Sequence, residues 1–135
     1  MSYRTQPIDC PRCRIALVRP EVRDLWRCAG CAGELVAEGE LIAELLRVAP
    51  DLVPEGTPRL PTRSRAPTGP PAPCPVCRAT MQPVFLGGID VDRCHADELI
   101  WFDASELARV LARAAAQHEV RQRGWLERVV RGLVG

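Results

Sequence analysis

The sequence predicts a small metal-bound α+β protein. It reads as two short modules, each a β-hairpin plus a helix, joined by a proline-rich linker and followed by an amphipathic C-terminal helix. Three observations carry that expectation. Seven cysteines fall into two copies of one spacing, a run of prolines separates the copies, and the apolar residues behind each copy take up helical periodicity.

The first copy reads Cys10-Pro-Arg-Cys13 and then Cys28-Ala-Gly-Cys31. The second reads Cys74-Pro-Val-Cys77 and then Cys94-His-Ala-Asp97, with an aspartate in place of the last sulfur. Paired thiols three residues apart, with a second pair a short hairpin away, form the spacing by which one tetrahedral zinc ion ties two loops together. The expected ligands are therefore Cys10, Cys13, Cys28 and Cys31 for one Zn2+, and Cys74, Cys77, Cys94 and Asp97 for a second. His95 is an alternative fourth ligand at the second site, followed by a water, a partner residue or no stable metal there. His118 lies too far along the chain and reads as a helix-face residue.

The repeat extends beyond the ligands. Superposing Cys28 on Cys94 brings Leu35 onto Trp101, Val36 onto Phe102, Glu40 onto Glu106 and Leu41 onto Leu107. A shared order of ligands, apolar positions and one carboxylate reads as a duplicated module of about forty residues. These residues resemble the small bacterial zinc ribbons related to the transcription factor IIB zinc ribbon, whose pattern runs Cys-Pro-x-Cys, hairpin, Cys-x-x-Cys, then Gly-x-Trp-Leu-Asp-x-x-Glu-Leu. The first copy keeps Gly33 but has Leu35 for the Trp and Ala37 for the Asp. The second keeps Trp101, Asp103, Glu106 and Leu107 but has Leu99 for the Gly and Asp97 for the last Cys. The resemblance implies zinc and a ribbon fold for residues 8–48 and 72–112.

The elements follow in order. Residues 1–49 form the first module. Residues 8–18 should hold a knuckle and an opening strand with Ile15, Leu17 and Val18 as apolar members, and Leu25 and Trp26 should lead back to the second knuckle. Gly30 and Gly33 are expected to permit its tight turns. From Glu38 to Val48, Leu41, Ile42, Leu45 and Leu46 recur at helical spacing, and Pro50 ends the helix. Residues 50–73 hold eight prolines and read as a spacer with little packing of its own. Residues 74–117 form the second module: Met81, Val84 and Leu86, a Gly87-Gly88 turn, then Ile89-Asp90-Val91-Asp92 alternating apolar and acidic. Asp103-Ala-Ser-Glu106 reads as a capping box. Residues 118–135 are an amphipathic extension, with Gly124 as its weak point.

Composition narrows the function. Aromatics make up only 4% of the chain, and modules of forty residues seldom fold without a metal, disulfides or a partner. With no signal peptide or long apolar run, a cytoplasmic location with reduced thiols is expected. The net charge is +1, which does not suit a dedicated nucleic-acid binder, although Arg12, Arg14, Arg19, Arg23 and Arg27 gather around the first module. Four-thiolate zinc leaves no position for substrate, and a three-thiolate zinc is a poor Lewis acid, so no enzyme is expected. The expected function is a zinc-held protein-interaction or adaptor module. Its partner would be another protein or a second copy met through the C-terminal helix. The alternative is a nucleic-acid or transcription-machinery binder, and a membrane partner fits least.

Overall fold

A computed structural model describes residues 7–20, 23–51, 60, 62–67 and 69–134. The strands are β1 (Leu25–Arg27), β2 (Glu34–Ala37), β3 (Thr62–Ser64), β4 (Gln82–Leu86), β5 (Ile89–Cys94) and β6 (Leu99–Phe102). The helices are α1 (Glu38–Val48) and α2 (Glu106–Val134). All six strands join one antiparallel sheet of order β1-β2-β6-β5-β4-β3. The two modules therefore share a sheet, through the pairing of β2 with β6.

The register of that pairing relates the repeats. Leu35 stands opposite Trp101, and these are equivalent residues of the two copies; Val36 faces Ile100 and Glu34 faces Phe102. Equivalents facing each other across an antiparallel pair place a local two-fold axis between them. The symmetry extends outward: Val18 bridges Arg27 in the first copy as Gln82 pairs Arg93 in the second.

Alternation along the strands splits the apolar residues between two faces. On one face Leu25, Val36, Val84, Leu86, Ile89, Val91, Ile100 and Phe102 meet Leu41 and Leu45 of α1 and Leu107, Val110 and Ala114 of α2. This cluster contains no cysteine. On the other face Trp26, Leu35, Leu99, Trp101 and Met81 pack with Cys10, Cys28, Cys74 and Cys94. The helices thus cover one side of the sheet and the metal knuckles the other.

Several expectations change. Residues 8–18 contain no extended strand, only bridges at Asp9–Ala16 and Val18–Arg27; Leu17 is buried while Ile15 and Val18 are exposed. The proline-rich stretch includes β3, which pairs with the free edge of β4, and Leu60 and Ala72 are buried. Arg65, also from that stretch, donates to the carbonyls of Val84 and Val91. Residues 52–59, 61 and 68 of it lie outside the described residues. Asp92 stands opposite Trp101 on the knuckle side of the sheet and is buried, with Arg65 and Arg12 near its carboxylate. Helix α2 runs unbroken through Gly124. Among the described residues no helix is long and apolar enough to cross a membrane.

The capping box forms by half. The Glu106 carboxylate accepts the Asp103 N–H at 2.9 Å, as expected. The Asp103 carboxylate instead accepts from the Trp101 indole N–H at 3.1 Å and from Arg12 at 3.0 and 3.2 Å. It thereby ties the start of α2 to the first knuckle of the other repeat.

Candidate metal centres

Each Cys-x-x-Cys forms a turn closed by a backbone bond from the residue after its second ligand to the carbonyl of its first. Arg14 N–H donates to the Cys10 carbonyl at 2.9 Å, Arg78 N–H to Cys74 at 2.8 Å and Ala32 N–H to Cys28 at 2.9 Å. The residue after each second ligand takes a left-handed conformation: Arg14 (φ 61°), Ala32 (61°), Arg78 (65°) and Glu98 (54°). The first and third, and the second and fourth, are repeat equivalents, so the knuckle backbone is duplicated even where Asp97 replaces sulfur. The positive-φ work falls on these residues, not on Gly30 and Gly33 as the sequence suggested. Gly33 is needed for space: a Cβ there would lie 2.3 Å from the Trp101 ring.

The turns bring together Cys10, Cys13, Cys28 and Cys31, and separately Cys74, Cys77, Cys94 and Asp97, with the ligand atoms of each set within 4.8 Å of one another. Two sulfurs bound tetrahedrally to zinc at about 2.3 Å stand about 3.8 Å apart. Cys10 and Cys31 Sγ are 3.7 Å apart, and Cys77 and Cys94 Sγ 3.6 Å. Asp97 Oδ2 lies 3.4 Å from both Cys74 and Cys94 Sγ, close to the roughly 3.6 Å that a mixed sulfur and oxygen shell requires. The donor spacing fits zinc in both sets. His95 is exposed and stands outside the second set, and His118 pairs with Asp51 at 2.6 Å.

Backbone N–H groups point at the sulfurs, as negative thiolates require. Arg12 and Cys13 N–H approach Cys10 Sγ at 3.3 Å, and Cys31 N–H reaches Cys28 Sγ at 3.5 Å. The N–H of Cys31, helped by that of Gly30, draws the Cys28 thiol down to about 7. Hydrogen bonding from Cys31 pushes Cys13 up to about 12. Burial raises Cys10, Cys74 and Cys94. Asp97 is lowered, chiefly by the Cys77 thiol. Crowded thiolates repel one another, and a divalent ion held by each set would neutralise that charge.

The arginines around the first ribbon mostly meet acids. Arg12 pairs with Asp103, Arg19 with Asp24, Arg23 with Glu40 and Glu44, and Arg27 with Glu34. Arg19 also lies 5.5 Å from the Trp26 ring centroid. Sequence reading did not find Arg93, which bonds the buried Glu38 at the start of α1 and Thr62 of β3. Its one signal is its repeat equivalence to Arg27.

Comparison with known proteins agrees with the second ligand set. Residues 73–113 match the transcription factor zinc-finger family of TFIIB-type zinc ribbons. No curated protein and no solved structure matches the chain. Residues 73–113 are thus similar to TFIIB-type zinc ribbons, and the cysteine cluster of the symmetry-related first repeat suggests a second ribbon.

Proposed function

We propose that this protein is a non-enzymatic, zinc-held interaction module that meets another protein chain through the far end of α2. The observation that carries this reading is a row of exposed apolar side chains: Trp125, Leu126, Val129, Val130 and Leu133, exposed by between 40% and 82%. At 100° per residue they occupy one sector of the helix, beyond the point where Arg121 pairs with Asp51 in the turn after α1. A contiguous apolar sector of this kind on a polar helix marks a docking surface more often than a solvated one.

Two further observations support it. Both ligand sets supply four donors to one ion, which suits metal that holds shape. The arginines that favoured nucleic acid, except Arg14, have carboxylate partners within the chain, which lowers their availability to phosphate.

Sedimentation of the zinc-loaded chain over a concentration series tests the reading. Association that disappears in Leu126→Glu/Val130→Glu, with zinc content unchanged, supports it and makes a second copy the partner. Binding to DNA or RNA that weakens steeply with salt and survives that double substitution favours the alternative of a nucleic-acid or transcription-machinery regulator.

A further inference from the structure

The two metal centres share a backbone but differ in three respects that act in the same direction. The first is the donor set: four thiolates in one, three thiolates and a carboxylate in the other. Soft sulfur holds zinc more firmly than hard oxygen, and a monodentate carboxylate is readily displaced. The second is what orients the odd ligand. A carboxylate that ligates a metal is ordinarily fixed by hydrogen bonds to its remaining lone pairs. Among the described residues the Asp97 carboxylate meets only the sulfurs of its own centre. By contrast, Asp103 is held by Trp101 and Arg12 together.

The third respect is what would remain after the ion left. Strands β4, β5 and β6 and helix α2 are bound by the helix-side cluster, which has no cysteine in it. The first ribbon reaches that cluster through Leu25 and Val36 of its two short strands and Leu41, Leu45 and Ala49 of α1 and its end, while Ile8, Leu17 and Trp26 pack in the cluster built around the buried cysteines. Losing the first ion removes the centre of that packing. The second ribbon also packs Met81, Leu99 and Trp101 beside Cys74 and Cys94, but β4, β5 and β6 keep their ladder and the helix-side cluster when its ion leaves.

We propose that the second centre is an exchangeable zinc site, emptied and refilled on a standing fold, while the first is a permanent structural one. Its occupancy then reports zinc availability at the surface. The Cys74 knuckle forms one wall of a cleft of about 500 Å³ whose opposite wall is the Cys10 knuckle, with Arg14 and Arg78 at symmetry-equivalent positions. Release of the second ion loosens one wall of that cleft and leaves the other in place.

The test is zinc release from the two-zinc protein into excess chelator, followed with a zinc-responsive dye and, in parallel, by near-ultraviolet circular dichroism and tryptophan emission. One equivalent should leave at least about tenfold faster than the other, with both tryptophan signals unchanged until the slow phase. In Asp97→Cys the fast equivalent should join the slow phase, and in Asp97→Asn it should leave faster still. Two ions departing together, a fast phase that survives Asp97→Cys, or a fast phase accompanied by collapse of the tryptophan signals would each overturn the proposal. Because the readout is metal release and fold, the result is independent of whether α2 docks a partner.

Discussion

Trp101 of the second repeat occupies the space over Gly33 of the first: a Cβ on Gly33 would lie 2.3 Å from one indole carbon and 2.6 Å from the next. Trp101 is fully buried, and its register partner Leu35 stands where the first repeat would carry its own tryptophan. The departures that make each copy look degenerate are therefore complementary. The repeat that keeps the glycine receives the tryptophan from the repeat that has lost it.

Gly33→Ala should accordingly cost about 1–3 kcal/mol, because backbone and a fully packed ring leave little room to shift. Trp101→Leu should cost about 2–4 kcal/mol through the cavity it opens. In the double variant the alanine penalty should fall below about 1 kcal/mol, a coupling that urea unfolding of all four proteins measures. Strict additivity would show that the two residues do not share this space.

Glu38 and Arg93 join the repeats a second time, on the helix side of the sheet. Both are largely buried, and Arg93 also reaches Thr62. Arg93→Ala should destabilise by about 3–5 kcal/mol, since it leaves a buried carboxylate without its cation. Replacing both residues with methionine should recover most of that loss. Thermal melts under zinc saturation distinguish the two outcomes.

Asp92 supplies a pH signature. Its pKa is raised, mainly by burial and against the pull of Arg65 and Arg12. A carboxyl raised in the folded state favours folding most below its unfolded value, near pH 4, and loses that contribution as pH rises through the folded value. Asp92→Asn lacks this slope, so its stability relative to wild type should climb from pH 4 towards 7. Protons displace zinc from both proteins on the acid side, so the difference between them at each pH is the quantity to follow. A difference that stays flat or falls would contradict the sign.

Cys28→Ser should leave a protein that binds one zinc ion. It should expose Trp26, now 3% accessible, while amide protection persists in the β4–β5 hairpin. Structural zinc contributes roughly 10–16 kcal/mol in small peptides, far more than an edge strand of three residues can replace. Hydrogen exchange resolved by peptide reads both regions at once. Equal loss of protection in the two repeats would mean that neither stands without the other.

Local chemistry made the ligands legible. Cys10, Cys13, Cys28 and Cys31 announce themselves because a knuckle is four residues long and its chemistry depends on residue type and spacing alone. Asp97 was legible for the same reason, at the right offset. The helix of residues 38–48 followed from the period of Leu41 and Leu45, and the β4–β5 hairpin from Gly87-Gly88. Thr62-Arg63-Ser64 was not, because the prolines around it report chain stiffness and say nothing of a free strand edge at β4. The burial of Asp92 was not legible either, because Arg65 and Arg12 arrive from distant segments to meet it.

What residue order alone settled was the coordination chemistry and the duplication, both of which act over a few bonds or recur at a fixed interval. What folding settled was how the copies combine: the β2–β6 register, the two-fold relation, Trp101 over Gly33 and Glu38 against Arg93. Those contacts join residues more than fifty positions apart. Their partners are chosen by which sheet edges and apolar faces remain uncovered once each ribbon has closed on its metal, and no short-range pattern records that competition.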